Sequence, residues 1–186
     1  MLPLHSIAAY IITRKVKPEK IVETGVHHGK STTCILRAIQ KNQGGFLHSI
    51  DLPKTVDPNN PYQEANVYEL KEEEVGRLVP DELKSRWNLH LGDSRDILPK
   101  ILEEIGPIDF FMHDSMHSYE VMSFEFKHAL NSLNEEGVLL SDDVDWNNAF
   151  QDFVSKHKPD LNKAGDTSDI PKKYSENMSV IGLMSK

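Results

Sequence analysis

Cysteine is nearly absent from this chain: Cys34 is the only one among 186 residues. No intramolecular disulfide can form, so stability must come from a packed core, and a reducing, cytoplasmic setting is expected. Cys34 itself reads as a small hydrophobe buried on a helix. Also missing is any cluster of Lys and Arg. The 21 basic residues face 29 acidic ones, for a formal charge of −8. A nucleic-acid surface needs a concentrated basic face, so that partner is excluded and a small polar substrate fits better. Long apolar runs are lacking too. The run Ile7–Ile12 is far too short to span a bilayer, and neither a basic region before it nor a small-residue cleavage site marks it as a leader. Leu4, Ile7, Ala8, Ile11 and Ile12 instead fall at helical spacing. They predict an amphipathic helix packed on the domain or on a partner, which leaves room for a homodimer. Internal repeats are absent, and nothing marks a second domain.

What is present suits one soluble globular domain over 1–186, with 38% hydrophobic and 27% charged residues. Five short apolar runs read as strands: Ile21–Gly25, Gly45–Asp51, Trp87–Leu91, Ile108–His113 and Val138–Ser141. Helical stripes separate them. Ile35, Leu36 and Ile39 form the first; Ile97, Leu98, Ile101, Leu102 and Ile105 form another. A third, Tyr119, Met122, Phe126, Ala129, Leu130 and Leu133, ends before Gly137. Strand–helix alternation of this kind builds an α/β, Rossmann-like, doubly wound and mostly parallel sheet in three α/β/α layers. Residues 1–19 form the N-terminal helix, 20–153 the cofactor-binding core, and 154–186 a variable cover and a last strand over Met178–Met184. Leu52–Asn66 reads as a proline-punctuated loop feeding a helix that ends near Val79-Pro80, and a helix is expected over Trp146–Lys156. The polar stretch Pro159–Ser175 is too long for an ordinary connection, and reads as a site cover or a disordered segment.

Ligands of open parallel sheets bind outside the carboxyl ends of the strands. Glu23, Asp51, Asp93, Asp114 and the pair Asp142/Asp143 all fall at or just past such ends. Any one of them could be a helix cap or a solvated turn; the ordered set points to a site. The first strand also runs into the turn Gly25-Val26-His27-His28-Gly29 and opens a helix at Lys30-Ser31. Three nucleoside-bearing cofactors compete for it. A triphosphate loop needs four residues between its glycine and Gly-Lys-Ser, and Gly25 leaves three, with Glu23 set against the phosphates. A nicotinamide dinucleotide needs three glycines in the turn, and His27 stands where small residues are wanted. S-adenosylmethionine has no phosphate. It needs a carboxylate for its ammonium, one for two ribose hydroxyls and a polar group for adenine, and Glu23, Asp51 and Asp93 follow the first three strands in that order. Gly25 and Gly29 allow close backbone approach, while the helix start near Lys30 and Ser31 suits a carboxylate.

The runs Glu23-Thr24-Gly25-Val26-His27-His28-Gly29, Ser49-Ile50-Asp51, Leu91-Gly92-Asp93-Ser94, His113-Asp114-Ser115-Met116-His117-Ser118-Tyr119-Glu120 and Gly137-Val138-Leu139-Leu140-Ser141-Asp142-Asp143-Val144 resemble class I S-adenosylmethionine-dependent methyltransferases. More narrowly, they resemble the short branch related to macrocin-type sugar O-methyltransferases and cephalosporin-hydroxylase-like proteins. The resemblance covers roughly Ile21 to Phe153. It implies O-methylation of a small hydroxylated acceptor, with Glu23, Gly25, Gly29, Ser31, Asp51, Asp93, Ser94 and Asp114 at the cofactor. It also implies a divalent metal, usually magnesium, on Asp114, Asp142 and Asp143 in some members. Thr24 and His27 depart from the small residues common in the superfamily, and the antiparallel strand that usually precedes the last one is not visible between Phe153 and Asn177. A scaffold that keeps the fold without turnover is the alternative. His117, three residues past Asp114, reads as a general base or as a helix-start residue orienting Asp114. Asp142 and Asp143 read as metal ligands or as caps of the Trp146 helix. His27 and His28 read as pocket lining or surface, His113 as packed at a strand end, and Tyr119 and Trp146 as acceptor-pocket lining or core.

Overall fold

A computed structural model describes residues 2–53, 70–157 and 182–185. Strands β1 (Lys20–Thr24), β2 (Phe46–Asp51), β3 (Trp87–Leu91), β4 (Ile108–His113) and β5 (Leu133–Ser141) pair in parallel. β6 (Gly182–Ser185) adds to β5 in the antiparallel sense, in the order β3-β2-β1-β4-β5-β6. The chain begins at the centre of the sheet, winds out to β3, then returns to β4 and winds the other way. The β1/β4 boundary is therefore a switch point, where a crevice opens at the carboxyl edge.

Helices α1 (Leu4–Val16), α2 (Lys30–Asn42), α3 (Ser94–Ile105), α4 (Tyr119–Ser132) and α5 (Ala149–His157) cover the sheet. Val22, Ile50, Phe111 and Leu139 pack with Leu98, Met122, Phe126 and Phe153. Their neighbours Ile21, Phe110 and Leu140 pack with Ile35, Ile39 and Ala9. Successive strand residues thus enter opposite cores, because side chains alternate across the pleat and both faces are covered. Each buried Leu, Ile or Phe contributes about 1.5–3 kcal/mol.

Several elements differ from their expected bounds. Before β3 the helix expected to end near Val79-Pro80 is replaced by two 3-10 helices, Glu72–Glu74 and Asp81–Arg86; residues 54–69 lie outside the described residues. Gly76, at φ +69°, lies so close to Trp87 that a Cβ would stand 2.3 Å from Cη2. That turn and Pro80 interrupt a continuous helix. β5 begins at Leu133, which pairs with Ile108 before the register shifts and resumes at Val138 opposite Phe110. Gly137 consequently lies inside the strand. α5 begins at Ala149, where Asn147 Oδ1 accepts from the Ala149 N–H at 2.7 Å, so Asn147 supplies the cap expected of Asp142 or Asp143. The final strand is described only over Gly182–Ser185; the expected start at Met178 and the segment Pro159–Ser175 lie outside the described residues.

The N-terminal helix packs with an unexpected face. Its buried residues are His5, Ser6, Ala9 and Thr13, whereas Ile7 and Ile11 are 43% and 48% exposed. Small and polar residues let α1 lie close against α2, and the Asn42 amide donates to the Thr13 carbonyl at 2.7 Å. Only Ala8, Ala9 and Ile12 join the apolar core from this helix. Among the described residues no helix is long and apolar enough to cross a membrane.

Candidate functional site

The carboxyl ends of the strands are tied to one another one step beyond the ladder. Gly25 N–H donates to Ile50 (2.9 Å), Gly92 to Asp51 (2.8 Å), Asp114 to Thr24 (2.8 Å) and Asp142 to His113 (3.0 Å), each at the carbonyl oxygen. Gly92, Asp51, Gly25, Asp114 and Asp142 therefore follow each other along one edge.

At the centre of that edge lies the glycine loop. Gly25 has φ +85°, and a Cβ there would stand 1.9 Å from the Asp114 carbonyl oxygen. Only glycine tolerates both conditions. Asp51 Oδ2 accepts from the N–H groups of Val26 and His27, both at 2.7 Å, while its Oδ1 takes no hydrogen bond among the described residues. Gly29, at φ +88°, precedes the first turn of α2. On the outer side, Gly76 N–H donates to the His27 carbonyl and Leu78 N–H to that of His28. The loop is thus held from both sides before any ligand arrives, which reduces the ordering cost of binding.

Glu23 lies beneath this loop, fully buried. It accepts from Ser31 Oγ (2.6 Å), Thr32 Oγ1 (2.8 Å) and Ser49 Oγ (2.8 Å), joining the start of α2 to β1 and β2. Burial raises its carboxyl above the ordinary value; the three hydroxyls oppose this and Asp51 adds to it. Ser31 is consequently turned inward. Asp93 caps α3 through the Arg95 N–H at 2.8 Å and is also bound by the Arg95 guanidinium, which holds its carboxyl below the ordinary value. Ser94 is the first residue of α3.

The other end of the edge is acidic. Asp114 follows β4 and Asp142 follows β5, and His5 of α1 reaches both: Nε2 is 3.3 Å from Asp114 Oδ2, and Nδ1 touches Asp142 Oδ2. Burial pushes the Asp114 carboxyl well above its ordinary value; His5 opposes this, while Asp142, Glu23 and Asp143 reinforce it. Burial opposes charge on His5, but Asp142 and Asp114 outweigh it and hold the imidazole above its ordinary value. Asp143, at φ +48°, lies apart from this group, with Oδ2 3.8 Å from His117 Nε2. The His117 ring packs edge-on to His113 at 5.4 Å and lies 5.1 Å from Trp146. Trp146 is 59% exposed, and Tyr119 is exposed with its hydroxyl on Asp152 at 3.0 Å, so neither is core. His113 is packed at the end of β4, its Nδ1 2.6 Å from Glu125 Oε2.

Sequence reasoning missed His5 and Glu125. Both had a signal. His5, Ser6, Ala9 and Thr13 form a small, polar stripe along α1, and Glu125 sits between Met122 and Phe126 in an otherwise apolar stripe.

A doubly wound sheet with a pinned glycine loop at its switch point and carboxylates along the edge defines a domain built for a nucleoside-bearing cofactor. Residues 22–144 match the family model described as a methyltransferase domain, and the chain belongs to that family. Its six-stranded, mostly parallel order is that of the class I methyltransferase fold. No curated protein sequence matches it. Solved structures share the fold. The Bacillus cereus O-methyltransferase in complex with S-adenosylhomocysteine has a TM-score of 0.64 at 16% identity, covering 100% of this chain and 84% of that one. TomG of Streptomyces achromogenes, an O-methyltransferase of tomaymycin synthesis in complex with S-adenosylmethionine, has a TM-score of 0.60 at 19% identity, covering 82% and 66%. For the S-adenosylhomocysteine-bound Podospora anserina methyltransferase PaMTH1 the TM-score is 0.54 at 16% identity, covering 76% and 53%. The chain therefore spans about half to two thirds of the length of the last two.

Proposed function

We propose that the chain is an S-adenosylmethionine-dependent methyltransferase acting on the hydroxyl oxygen of a small metabolite or sugar. Within the family it fits the short branch related to macrocin-type sugar O-methyltransferases and cephalosporin-hydroxylase-like proteins. The observation that carries the reading is the Gly25–Asp51 junction. Two backbone amides saturate Asp51 Oδ2 and leave Oδ1 for vicinal hydroxyls, beside a glycine that admits no side chain. A ribose suits that junction.

Bound there, S-adenosylmethionine supplies a methyl group already activated by a positive sulfur. Asp51 holds the ribose, the Gly25–Gly29 backbone lets the cofactor lie close, and Glu23 and Ser31 serve from below by fixing the loop to α2. Asp93 and Ser94 bound the adenine side. Asp114 directs the acceptor hydroxyl, and His117 takes its proton as the oxygen receives the methyl. Asp143, 3.8 Å from His117, stabilises the resulting imidazolium. Exposed Trp146 beside His117 offers the acceptor an apolar platform. A divalent cation fits the acidic end, because Asp142 Oδ1 is buried with no hydrogen-bond partner among the described residues. Asp114, Asp142 and Asp143 are the residues through which the resemblance implies magnesium there, and such an ion would lower the acceptor's pKa. The exposed face of α1 suits a second copy of the chain.

Calorimetry with S-adenosylmethionine, its homocysteine product, ATP and NAD tests the reading. Binding of the first two and not the others is expected; binding of neither sinks the proposal. Product binding without methyl transfer to any alcohol in an acceptor panel would favour a scaffold.

A further inference from the structure

The N-terminal helix holds its histidine at a point that its own hydrophobicity does not explain. α1 leaves Ile7 and Ile11 largely exposed and buries His5 at 8% exposure, against the two acids that end β4 and β5. Burying a titratable ring in place of two isoleucines forfeits apolar burial of about 1.5–3 kcal/mol per side chain. Such an arrangement calls for a partner that the helix alone does not provide.

His5, Asp114 and Asp142 each offer one donor atom, and the three atoms lie within 4.8 Å of one another. They come from three separate elements, so the cluster is a product of the tertiary fold. One of its buried atoms, Asp142 Oδ1, has no hydrogen-bond partner among the described residues, although Asp142 is only 2% exposed, while His5 Nδ1 touches the other oxygen of the same carboxylate. A buried carboxylate oxygen without a partner is rare, and a cation held between this carboxylate, the Asp114 carboxylate and the imidazole would satisfy it. Asp143 does not belong to this set. The left-handed turn at Asp143 separates it from Asp142, and its carboxylate lies by His117.

We propose that His5, Asp114 and Asp142 form a mixed nitrogen–oxygen site for a borderline divalent cation such as Zn2+, Co2+ or Mn2+, bound in preference to Mg2+. The proposal rests on the methyltransferase reading only for the role of the ion beside the acceptor. The preference follows from the donors. Magnesium favours an all-oxygen shell that keeps several waters, whereas an imidazole and two carboxylates suit the later first-row ions. It also gives α1 a function: the helix closes the acidic end of the edge and completes the site from outside the sheet.

Calorimetric titration of the full chain with ZnCl2, CoCl2, MnCl2 and MgCl2 tests this, together with the visible absorption of bound Co2+. Wild type is expected to bind Zn2+ or Co2+ at least tenfold more tightly than Mg2+. His5→Ala is expected to lose at least tenfold for Zn2+ and Co2+, to change little for Mg2+ and to alter the Co2+ spectrum. Asp142→Asn should weaken every ion. Equal Mg2+ and Zn2+ affinity in wild type, no ion bound at all, or an unchanged Co2+ spectrum in His5→Ala would each overturn the proposal. If His5→Ala unfolds, His5→Gln keeps the packing and removes the imidazole, and the same outcomes apply. Binding of S-adenosylhomocysteine measured on the same samples separates the two ideas. Metal selectivity without nucleoside binding leaves the ion site standing and removes the methyltransferase reading; the converse removes only the site.

Discussion

Two fully buried glutamates stand on opposite faces of the sheet and respond to pH in opposite senses. For Glu125, burial alone would raise the carboxyl. The charge and hydrogen bond of His113, with the hydroxyls of Ser94 and Thr24, outweigh it and hold the group below its ordinary value. A depressed acid contributes stability that is present above the unfolded-state value and disappears as pH falls through the folded one. Glu125→Gln should therefore cost about 1.5–3 kcal/mol near neutrality, the range for hydrogen bonds to charged groups, and less as pH drops below the ordinary carboxylate value. Glu23 is raised, chiefly by burial. Its contribution is complete below the unfolded-state value and is lost as pH rises through the folded one. Glu23→Gln should compare worst with wild type in acid and gain on it with rising pH. Urea unfolding of both variants from pH 4 to pH 8 checks the crossing; parallel curves would refute it. At the acceptor side, Trp146→Ala should raise KM for the alcohol severalfold and leave S-adenosylhomocysteine affinity unchanged, since the ring packs on His117 away from the glycine loop.

Single elements repeat the division between what pattern reveals and what contact decides. The five parallel strands and the helices between them were legible because successive residues such as Ile21 and Val22 both had to be apolar for two covered faces. Glu23, Asp51 and Asp93 were legible as strand-end acids, but their separate tasks were not. Whether an acid receives backbone amides, hydroxyls or a guanidinium depends on groups such as Ser49 and Arg95 that the fold brings in. α1 was legible as a helix, yet its buried face was not, because the apolar stripe through Ile7 and Ile11 is the louder signal and the docking face is small and polar. The boundary of α5 was missed for a local reason: Asn147 caps it after Trp146 has been used in a turn. The Asp93 cap gives a prediction at this scale. Asp93→Ala should cost about 1 kcal/mol of stability through loss of the α3 cap. If Asp93 also bounds adenine, nucleoside affinity should fall beyond what Asp93→Asn loses, because Asn keeps the cap. Thermal melts and calorimetry on the pair separate the two roles.

For the molecule as a whole, the outward face of α1 is the feature with most at stake. Leu2, Ile7 and Leu78 line an apolar groove of about 520 Å3 with Tyr10 and Cys34, and Lys30 and Arg37 contribute its cations. Ile11 adds another exposed large apolar side chain on the same helix. A contiguous apolar surface on a helix that also holds His5 at the edge suggests that what happens outside α1 is felt inside. A second copy of the chain covering this face by a twofold contact would bury Ile7 and Ile11 against their own equivalents and press α1 onto Asp114 and Asp142. Sedimentation velocity should then show a dimer for wild type and a monomer for Ile7→Lys/Ile11→Lys, because lysines facing each other across a twofold repel and must be desolvated. Neither isoleucine lies in the site, so S-adenosylhomocysteine binding should survive the double substitution. The coupling through α1 adds a sharper expectation. Zn2+ affinity should weaken in the monomeric variant, since a helix released from its partner holds His5 less firmly. A monomeric wild type at high concentration removes the dimer. A dimer whose disruption leaves Zn2+ affinity unchanged removes the link between that surface and the site.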